Sequence, residues 1–149
     1  YSIAIRHEGA AAFAASAFGK LTGFPAACLA IAGPGATNLL TGLWDAKVDR
    51  APVLALTGQV QTQVFGPGAF QEVDLSAAFA GVARFSHLAL ETSRHAELAS
   101  LALKHAIIER DVAHLIFPDD MQTKPAAADA SAGSPEGRVG RVEIAPPEG

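Results

Sequence analysis

Glu8 is the residue whose type and position most directly suggest chemistry, and it follows a short run of alternating residues at positions 1–6. An alanine-rich stretch with charge only at its ends comes directly after it, so Glu8 is expected where a strand passes into a helix. Two interpretations fit this place. Glu8 is either a first-turn carboxylate that faces the helix dipole, or a carboxylate in an apolar cleft, where desolvation raises its pKa and suits it to exchange a proton.

A second candidate is the glycine-rich segment 33–38, Gly-Pro-Gly-Ala-Thr-Asn, which joins an apolar run to a helix-like run. Backbone N–H groups at such a turn can hold an anion. The segment differs from the dinucleotide-binding fingerprint, because Asn38 replaces its third glycine and Pro34 lacks an N–H group. The competing interpretation is a tight strand-to-helix turn with a polar residue near the helix cap.

Phe70 and Gln71 lie at the end of a third segment, a glycine- and proline-bearing stretch after residue 58 that is long enough to be a functional loop. By themselves they are typical of a packed ring and a solvated amide. In open α/β sheets, ligands bind at the carboxyl ends of the strands. The sequence therefore predicts a ligand cleft there, lined by Glu8, Pro34, Asn38 and Gln71.

The elements that must position these residues alternate between strand-like and helix-like runs, with no hairpin signal between them. This order predicts parallel strands joined by right-handed crossovers, hence an α/β fold with an open, mostly parallel sheet and helices on both faces. The continuous apolar runs 26–32 and 53–57 are predicted to be strands buried on both sides. The other predicted strands are 1–6, 84–90 and 112–117, and the predicted helices are 8–21, 37–48 and a helix from Thr92 or Ser93 to 110.

Composition excludes several classes of function. The chain has 149 residues, half of them apolar, and a net charge of −4, which argues against a general nucleic-acid binder. No apolar run is long enough for a membrane span, and neither the single Cys28 nor the scattered histidines predict a metal site. With no recognisable signal peptide, a cytoplasmic location is predicted. Residues 1–118 are predicted to form the folded domain, and the proline-rich residues 119–149 a linker or tail.

Six segments in a fixed order resemble one known family, the N-terminal pyrimidine-binding domain of thiamine-diphosphate enzymes of the pyruvate oxidase and acetolactate synthase group. The similarity covers residues 1–124, nearly the whole predicted domain. Any one of these segments would be a weak signal, whereas their order makes the resemblance specific. The segments are RHEGAAAFAA (6–15), KLTG (20–23), GPGATNLLTG (33–42), DA (45–46), PVLALTGQ (52–59) and AFQE (69–72).

The resemblance implies a role for each candidate residue. Glu8 matches the catalytic glutamate that hydrogen-bonds N1′ of the cofactor's aminopyrimidine. Pro34 and Asn38 match positions that line the pyrimidine pocket, and Gln71 matches a glutamine beside the cofactor's reaction centre. Phe70 matches a neighbour of the substrate channel. The family usually has serine before the Gly-Pro-Gly segment, where this sequence has Ala32.

The resemblance also implies that this chain holds only the pyrimidine end of thiamine diphosphate. In the family, a second domain with a Gly-Asp-Gly motif holds the diphosphate and its Mg²⁺, and that motif does not occur in this sequence. FAD, where one is used, would bind a middle domain that is equally absent, towards which residues 119–149 would lead. The first strand and helix of the domain are expected before Tyr1. The partner supplying the other half of the site would be a second subunit or domain, in a homodimer or homotetramer.

Within the family, the segments 18–23, 45–49 and 109–118 favour a pyruvate oxidase or quinone-linked pyruvate dehydrogenase, which decarboxylates a 2-oxo acid, pyruvate. The alternative is an acetolactate synthase-like enzyme that joins 2-oxo acids, since the segments around Thr57 and Phe70 are shared with that branch. An alternative of another class is a non-catalytic α/β module that binds a ligand. A binding module has no need for a carboxylate at Glu8, so the sequence favours the enzyme.

Overall fold

Four strands form one all-parallel sheet in the computed structural model, which describes residues 2–91 and 93–125. The two central strands are continuous apolar runs buried on both sides, as expected for parallel strands covered by helices. The predicted α/β fold with an open parallel sheet is confirmed. The strands are β1 (Ala26–Ala30), β2 (Val53–Gln59), β3 (Ala83–Leu88) and β4 (Val112–Pro118), in the spatial order β1-β2-β4-β3.

Helices cover both faces of this sheet, as predicted. One face carries the larger core, in which the first four helices pack around Leu39, Leu43 and Phe79. The other face carries a smaller core, where Ala102 and Ala106 of the fifth helix pack on the central strands. The helices are α1 (Glu8–Thr22), α2 (Pro34–Asn38), α3 (Leu40–Val48), α4 (Leu75–Phe79), α5 (His95–Glu109) and α6 (Asp119–Gln122), with a 3₁₀ turn at Thr62–Val64.

The predicted strand at residues 1–6 is wrong for the residues that the structure describes. Residues 2–6 form no strand, and the side chains of Ile3 and Ile5 are 83% and 43% exposed. An alternating segment becomes a strand only when a neighbouring strand accepts its backbone hydrogen bonds. No strand among residues 2–91 and 93–125 pairs with it.

The prediction that the apolar run 26–32 is buried on both faces is wrong, because the smaller core beneath α5 does not extend to the edge strand β1. Leu29 is 67% exposed, whereas Cys28 on the opposite face is buried. A hydrophobic run thus predicts a strand, but its place in the sheet depends on which neighbours are present. The predicted helix 37–48 is instead divided between α2 and α3 at Leu39, whose N–H donates to the carbonyl of Ala36, three residues earlier, at 3.1 Å.

The helix predicted to start at Thr92 or Ser93 begins later, at His95. Thr92 lies outside the described residues, and the Ser93 hydroxyl accepts the Leu90 N–H at 2.9 Å instead of capping α5. The short helix α4 was not predicted. It begins after Asp74, whose side chain accepts the N–H of Ala77 at 3.0 Å.

Residues 119–122, at the start of the predicted linker, form α6 and bury Met121. Residues 126–149 lie outside the described residues, so the domain boundary at 118 stays a prediction. The helices in the described part of the chain include none with the length and apolar character to cross a membrane.

Candidate functional site

Glu8 and Asn38 meet at the beginning of α1, although they are 30 residues apart in the sequence. The Asn38 Nδ2 donates a hydrogen bond to Glu8 Oε2 at 3.0 Å. His7 is extended and directs the chain into the helix, with its Nδ1 accepting the N–H of Gly9 at 3.1 Å. The start of α1 and the end of α2 therefore place a carboxylate and an amide side by side.

Gly35 lets the backbone of α2 approach that carboxylate. A Cβ at this position would lie 3.1 Å from Glu8 Oε1 and 2.6 Å from Cγ2 of Ile31, closer than ordinary contacts allow. Glycine is needed here because the side chains of Ile31 and Glu8 lie close against the α2 backbone, rather than for an unusual dihedral angle. Pro34, the first residue of α2, is exposed beside it.

Gln71 contacts the other side of the glycine-rich segment. A Cβ at Gly33, whose φ is 67°, would lie 2.8 Å from the backbone oxygen of Gln71. Gln71 itself has a φ of 66°, a conformation that residues other than glycine adopt rarely. Segment 33–38 thus has Glu8 against one end and Gln71 against the other.

A cavity of about 730 Å³ opens beside this arrangement, at the carboxyl ends of β1, β2 and β4. Phe70 and Gln71 line it together with Ile31, Val64 and Phe117, and the Phe70 ring is 89% exposed. Glu8, Pro34 and Asn38 do not line this cavity. The structure therefore groups the predicted residues in two places, Glu8 with Asn38 and Phe70 with Gln71, and the segment 33–38 connects them.

The pKa of Glu8 is lowered, not raised as one interpretation of the sequence expected. The largest cause is the hydrogen bond from its own backbone N–H, followed by the Asn38 amide, and both outweigh the smaller effect of desolvation. The expectation is wrong because the half-buried carboxylate is not enclosed and has two donors. Glu8 is therefore an ionised hydrogen-bond acceptor at neutral pH.

A buried polar trio lies behind the site and was missed by sequence analysis. His114 of β4 is fully buried, its Nε2 lies 2.9 Å from Thr57 Oγ1, and its Nδ1 lies 2.9 Å from Ser86 Oγ. Its ring stacks on Phe79 at a centroid distance of 3.8 Å. Burial lowers the pKa of His114 to about 3, so this ring is neutral. Nothing in the local sequence distinguishes His114 from an ordinary strand residue.

Cysteine and the metal-ligating residue types are the other candidates for reactive chemistry. Burial raises the pKa of the Cys28 thiol to about 12, which makes it a poor nucleophile. Within residues 2–91 and 93–125, no three His, Cys, Asp or Glu side chains are grouped so that they could hold a metal ion.

The family model described as "Thiamine pyrophosphate enzyme, N-terminal TPP binding domain" matches residues 2–78. This chain belongs to that family. The match contains Glu8, the segment 33–38, Phe70 and Gln71, so it covers every candidate site residue. The resemblance in the sequence is confirmed at the level of the thiamine-diphosphate enzymes and their N-terminal domain.

This thiamine-diphosphate domain is also similar to individual named proteins. It is 45% identical over 119 residues to YdaP of Bacillus subtilis (strain 168), whose name describes it as a thiamine pyrophosphate-containing protein. It is 34% identical over 140 residues to the acetolactate synthase isozyme 1 large subunit of Escherichia coli (strain K12). These alignments cover 80% and 87% of this chain, but only 21% and 25% of the two relatives. The chain thus spans about a quarter or less of each.

Proposed function

We propose that this domain holds the aminopyrimidine end of thiamine diphosphate, with Glu8 as the catalytic residue and Pro34, Asn38 and Gln71 around the ring. The observation that carries the proposal is the hydrogen bond from Asn38 to Glu8 beside Gly35. A carboxylate at Glu8 that only complemented the helix dipole would require neither an amide donor nor a glycine beside it. A site that orients one carboxylate oxygen needs all three.

These residues fit the cofactor's pyrimidine. Asn38 donates to Oε2 and thereby sets the orientation of the carboxylate, while Gly35 leaves space next to Oε1. Glu8 would hold N1′ of the ring and move a proton there, a form of general acid–base catalysis. The bound cofactor supplies the electron sink for decarboxylation of a 2-oxo acid. Covering Glu8 with the bound ring would remove water and raise the pKa of the carboxyl group from its lowered value towards one suited to proton exchange.

For the reaction of the whole protein, we propose decarboxylation of a 2-oxo acid, with pyruvate as substrate, followed by acetolactate synthase-like joining to a second 2-oxo acid. The names of relatives support this choice, including an acetolactate synthase of Arthrospira platensis that is 47% identical over 89 residues. The pyruvate oxidase or dehydrogenase reaction, favoured by segments 18–23, 45–49 and 109–118, stays a prediction. The name of YdaP specifies a cofactor and no reaction.

The proposal includes a partner. The diphosphate and its Mg²⁺ would be held by a second domain or subunit, in a homodimer or homotetramer, and any FAD would bind outside this chain. The support is the length of the relatives, of which this chain covers only a part. The cytoplasmic location also stays a prediction from the sequence.

The test is turnover of pyruvate by the whole protein with thiamine diphosphate and Mg²⁺. We expect acetolactate to form without any added electron acceptor. Pyruvate consumption that requires an added quinone or other acceptor would replace this proposal with the oxidase or dehydrogenase reaction. No cofactor-dependent turnover in either assay, with correctly folded protein, would favour the non-catalytic binding module.

A further inference from the structure

The loop between β2 and α4 carries Phe70 and Gln71, and the Glu72 carboxylate accepts hydrogen bonds from the centre of this loop, residues 66–69. Glu72 Oε1 accepts the N–H of Gly66 at 2.7 Å, and Oε2 accepts those of Gly68 at 3.1 Å and Ala69 at 2.9 Å. The N–H of Glu72 donates in turn to the carbonyl of Ala69 at 2.9 Å. One side chain therefore satisfies three backbone donors of a loop that has no regular structure at this point.

The backbone of this segment is shaped for that carboxylate. Gly66 and Gly68 have φ values of 102° and 85°, and a Cβ at either position would meet no atom within 4 Å. Space is therefore available, and the glycines are required by the dihedral angles that turn their N–H groups towards Glu72. These two backbone hydrogen bonds and that of Ala69 also lower the pKa of the Glu72 carboxyl group, with Gly66 as the largest cause.

The two ends of the loop are held by other residues. At its start, Asp120 accepts the N–H of Thr62 at 3.0 Å and the hydroxyl of the same residue at 2.6 Å. At its end, the Gln59 amide donates to the carbonyl of Val73 at 2.7 Å. None of these contacts involves residues 66–69, so the hydrogen bonds of Glu72 are the ones that order the centre of the loop.

The centre of the loop determines where Phe70 and Gln71 lie. Gln71 has a left-handed backbone conformation, which persists only where surrounding contacts enforce it. On one side those contacts are with Gly33, whose absent Cβ leaves room for the Gln71 backbone. On the other side, the residues just before and after the Phe70–Gln71 pair, Ala69 and Glu72, are joined by the hydrogen bonds described above.

We propose that Glu72 is a positioning residue for the proposed reaction: by ordering residues 66–69, it holds Phe70 and Gln71 at the cavity where the 2-oxo acid would bind. The inference rests on the proposed function for the identity of the reaction. The hydrogen bonds of Glu72 do not depend on it. Glu72 itself does not line the 730 Å³ cavity, so it acts through the two residues that do.

The first test uses this chain and needs no enzymatic activity. In a pH titration followed by ¹⁵N NMR, the amide resonances of Gly66, Gly68 and Ala69 should move together as Glu72 is protonated, with a midpoint below the ordinary glutamate pKa of about 4.5. In Glu72→Gln this common titration should disappear. In Glu97→Gln, which removes a carboxylate paired with Arg94 on α5, it should remain. Three amides that titrate independently would overturn the inference, even if the Glu72 variant failed to fold.

The second test uses the whole protein and compares the same two variants. We expect Glu72→Gln to lower kcat/KM for the 2-oxo acid by about 10-fold to 100-fold, the scale of a misplaced positioning group. Exchange of the cofactor's C2 proton, which depends mainly on Glu8, should fall much less than kcat/KM. A variant that loses both in parallel, or that behaves like Glu97→Gln in both, would overturn the positioning role. A wild-type protein without thiamine-diphosphate-dependent turnover would instead overturn the proposed function, and with it this role.

Discussion

Glu8 could either move a proton or only interact with the helix dipole, and replacing one carboxylate oxygen with an NH₂ group separates these two roles. If Glu8 moves a proton at N1′, Glu8→Gln keeps the shape of the side chain and loses the proton. Turnover by the whole protein should then fall by about 100-fold or more, the scale of a lost acid–base group. Exchange of the cofactor's C2 proton for deuterium, measured by quenched NMR, should slow in parallel.

The matched control for this prediction is Glu97→Gln, the same chemical change at the first turn of α5. Both glutamates lie in the first turn of a helix, so both variants lose the same interaction with a helix dipole. Only the change at Glu8 should alter proton exchange. Equal exchange rates in the two variants would remove Glu8 from the mechanism.

His114 predicts a pH dependence of stability. Its folded-state pKa of about 3 lies below the ordinary value of 6.5, so between these values the unfolded chain binds more protons than the folded one. The contribution of His114 to the free energy of unfolding is therefore fully present above about pH 6.5. It falls as the pH decreases, by up to about 1.4 kcal/mol per pH unit. Urea unfolding at pH 6.5, 5.75 and 5 keeps the contribution of the carboxylates with lowered pKa small, because their ordinary values are about 4.5 or lower.

The variant His114→Gln should unfold with a free energy that changes less over this range, whatever its absolute stability. His87→Gln is the control, because His87 is an exposed histidine on the neighbouring strand β3. Identical slopes for the wild type and His114→Gln would contradict the assignment of a buried, neutral imidazole.

At the level of single residues, the sequence indicated part of the site. Glu8 and Asn38 could be selected because each lies next to a predicted strand end, although their contact across 30 residues could not be derived from spacing. Of the two interpretations of Glu8, the one with a raised pKa is wrong, because the direction of the shift depends on how many donors surround the carboxylate in space. Glu72 and His114 were missed for the same reason: their partners are supplied by folding.

At the level of elements, the packing of α1 on α3 depends on a glycine. A Cβ at Gly42 would lie 2.6 Å from the backbone nitrogen of Phe13 and 2.7 Å from Cβ of Ala12. Alanine gains up to about 1 kcal/mol in helix propensity over glycine. Overpacking costs about 1–3 kcal/mol, and here the obstructing atoms include backbone, which cannot rotate away.

We therefore expect Gly42→Ala to lower the free energy of unfolding by about 1–2 kcal/mol, because overpacking exceeds the propensity gain. Thermal unfolding followed by circular dichroism measures this. The control is Gly81→Ala, where the new Cβ would meet the indole of Trp44 at 3.3 Å, a half-exposed side chain that can adjust. A Gly42→Ala protein as stable as wild type would show that the α1–α3 distance is adjustable.

The sequence predicted most elements because their hydrophobic patterns are local. The strands β2 and β4 are mostly apolar, and α1 ends at Gly23 in a left-handed cap, as its glycine indicated. The errors concern features that depend on neighbours. Residues 2–6 lack a pairing partner in the described structure, and β1 is at an edge. The five-residue helix α4 is too short for a periodic pattern to identify.

At the scale of the whole molecule, the edge strand β1 predicts self-association. Leu29 and Ile31 are 67% and 62% exposed, next to a backbone edge that no strand in the described part of the chain covers. Exposed apolar edges favour pairing with another copy. Light scattering of this chain should show a mass that rises with concentration, and Leu29→Lys should weaken that rise.

A matched control is Leu21→Lys, which places the same charge on a leucine that is 86% exposed near the end of α1. If the edge strand drives association, this variant should behave like the wild type. A chain that stays monomeric at high concentration, or a Leu21→Lys variant with the larger effect, would contradict this origin of the self-association.

The order of strands in the sheet also has a consequence for synthesis on the ribosome. Among the strands that the structure describes, β4 comes last in the sequence, yet it lies between β2 and β3 and pairs with both. Val53 of β2 can pair with Val112 of β4 only after Val112 has left the exit tunnel of the ribosome. A nascent chain therefore leaves β2 and β3 without their shared neighbour throughout translation of α5. Slow translation of that helix would prolong the interval in which a chaperone, rather than β4, covers them.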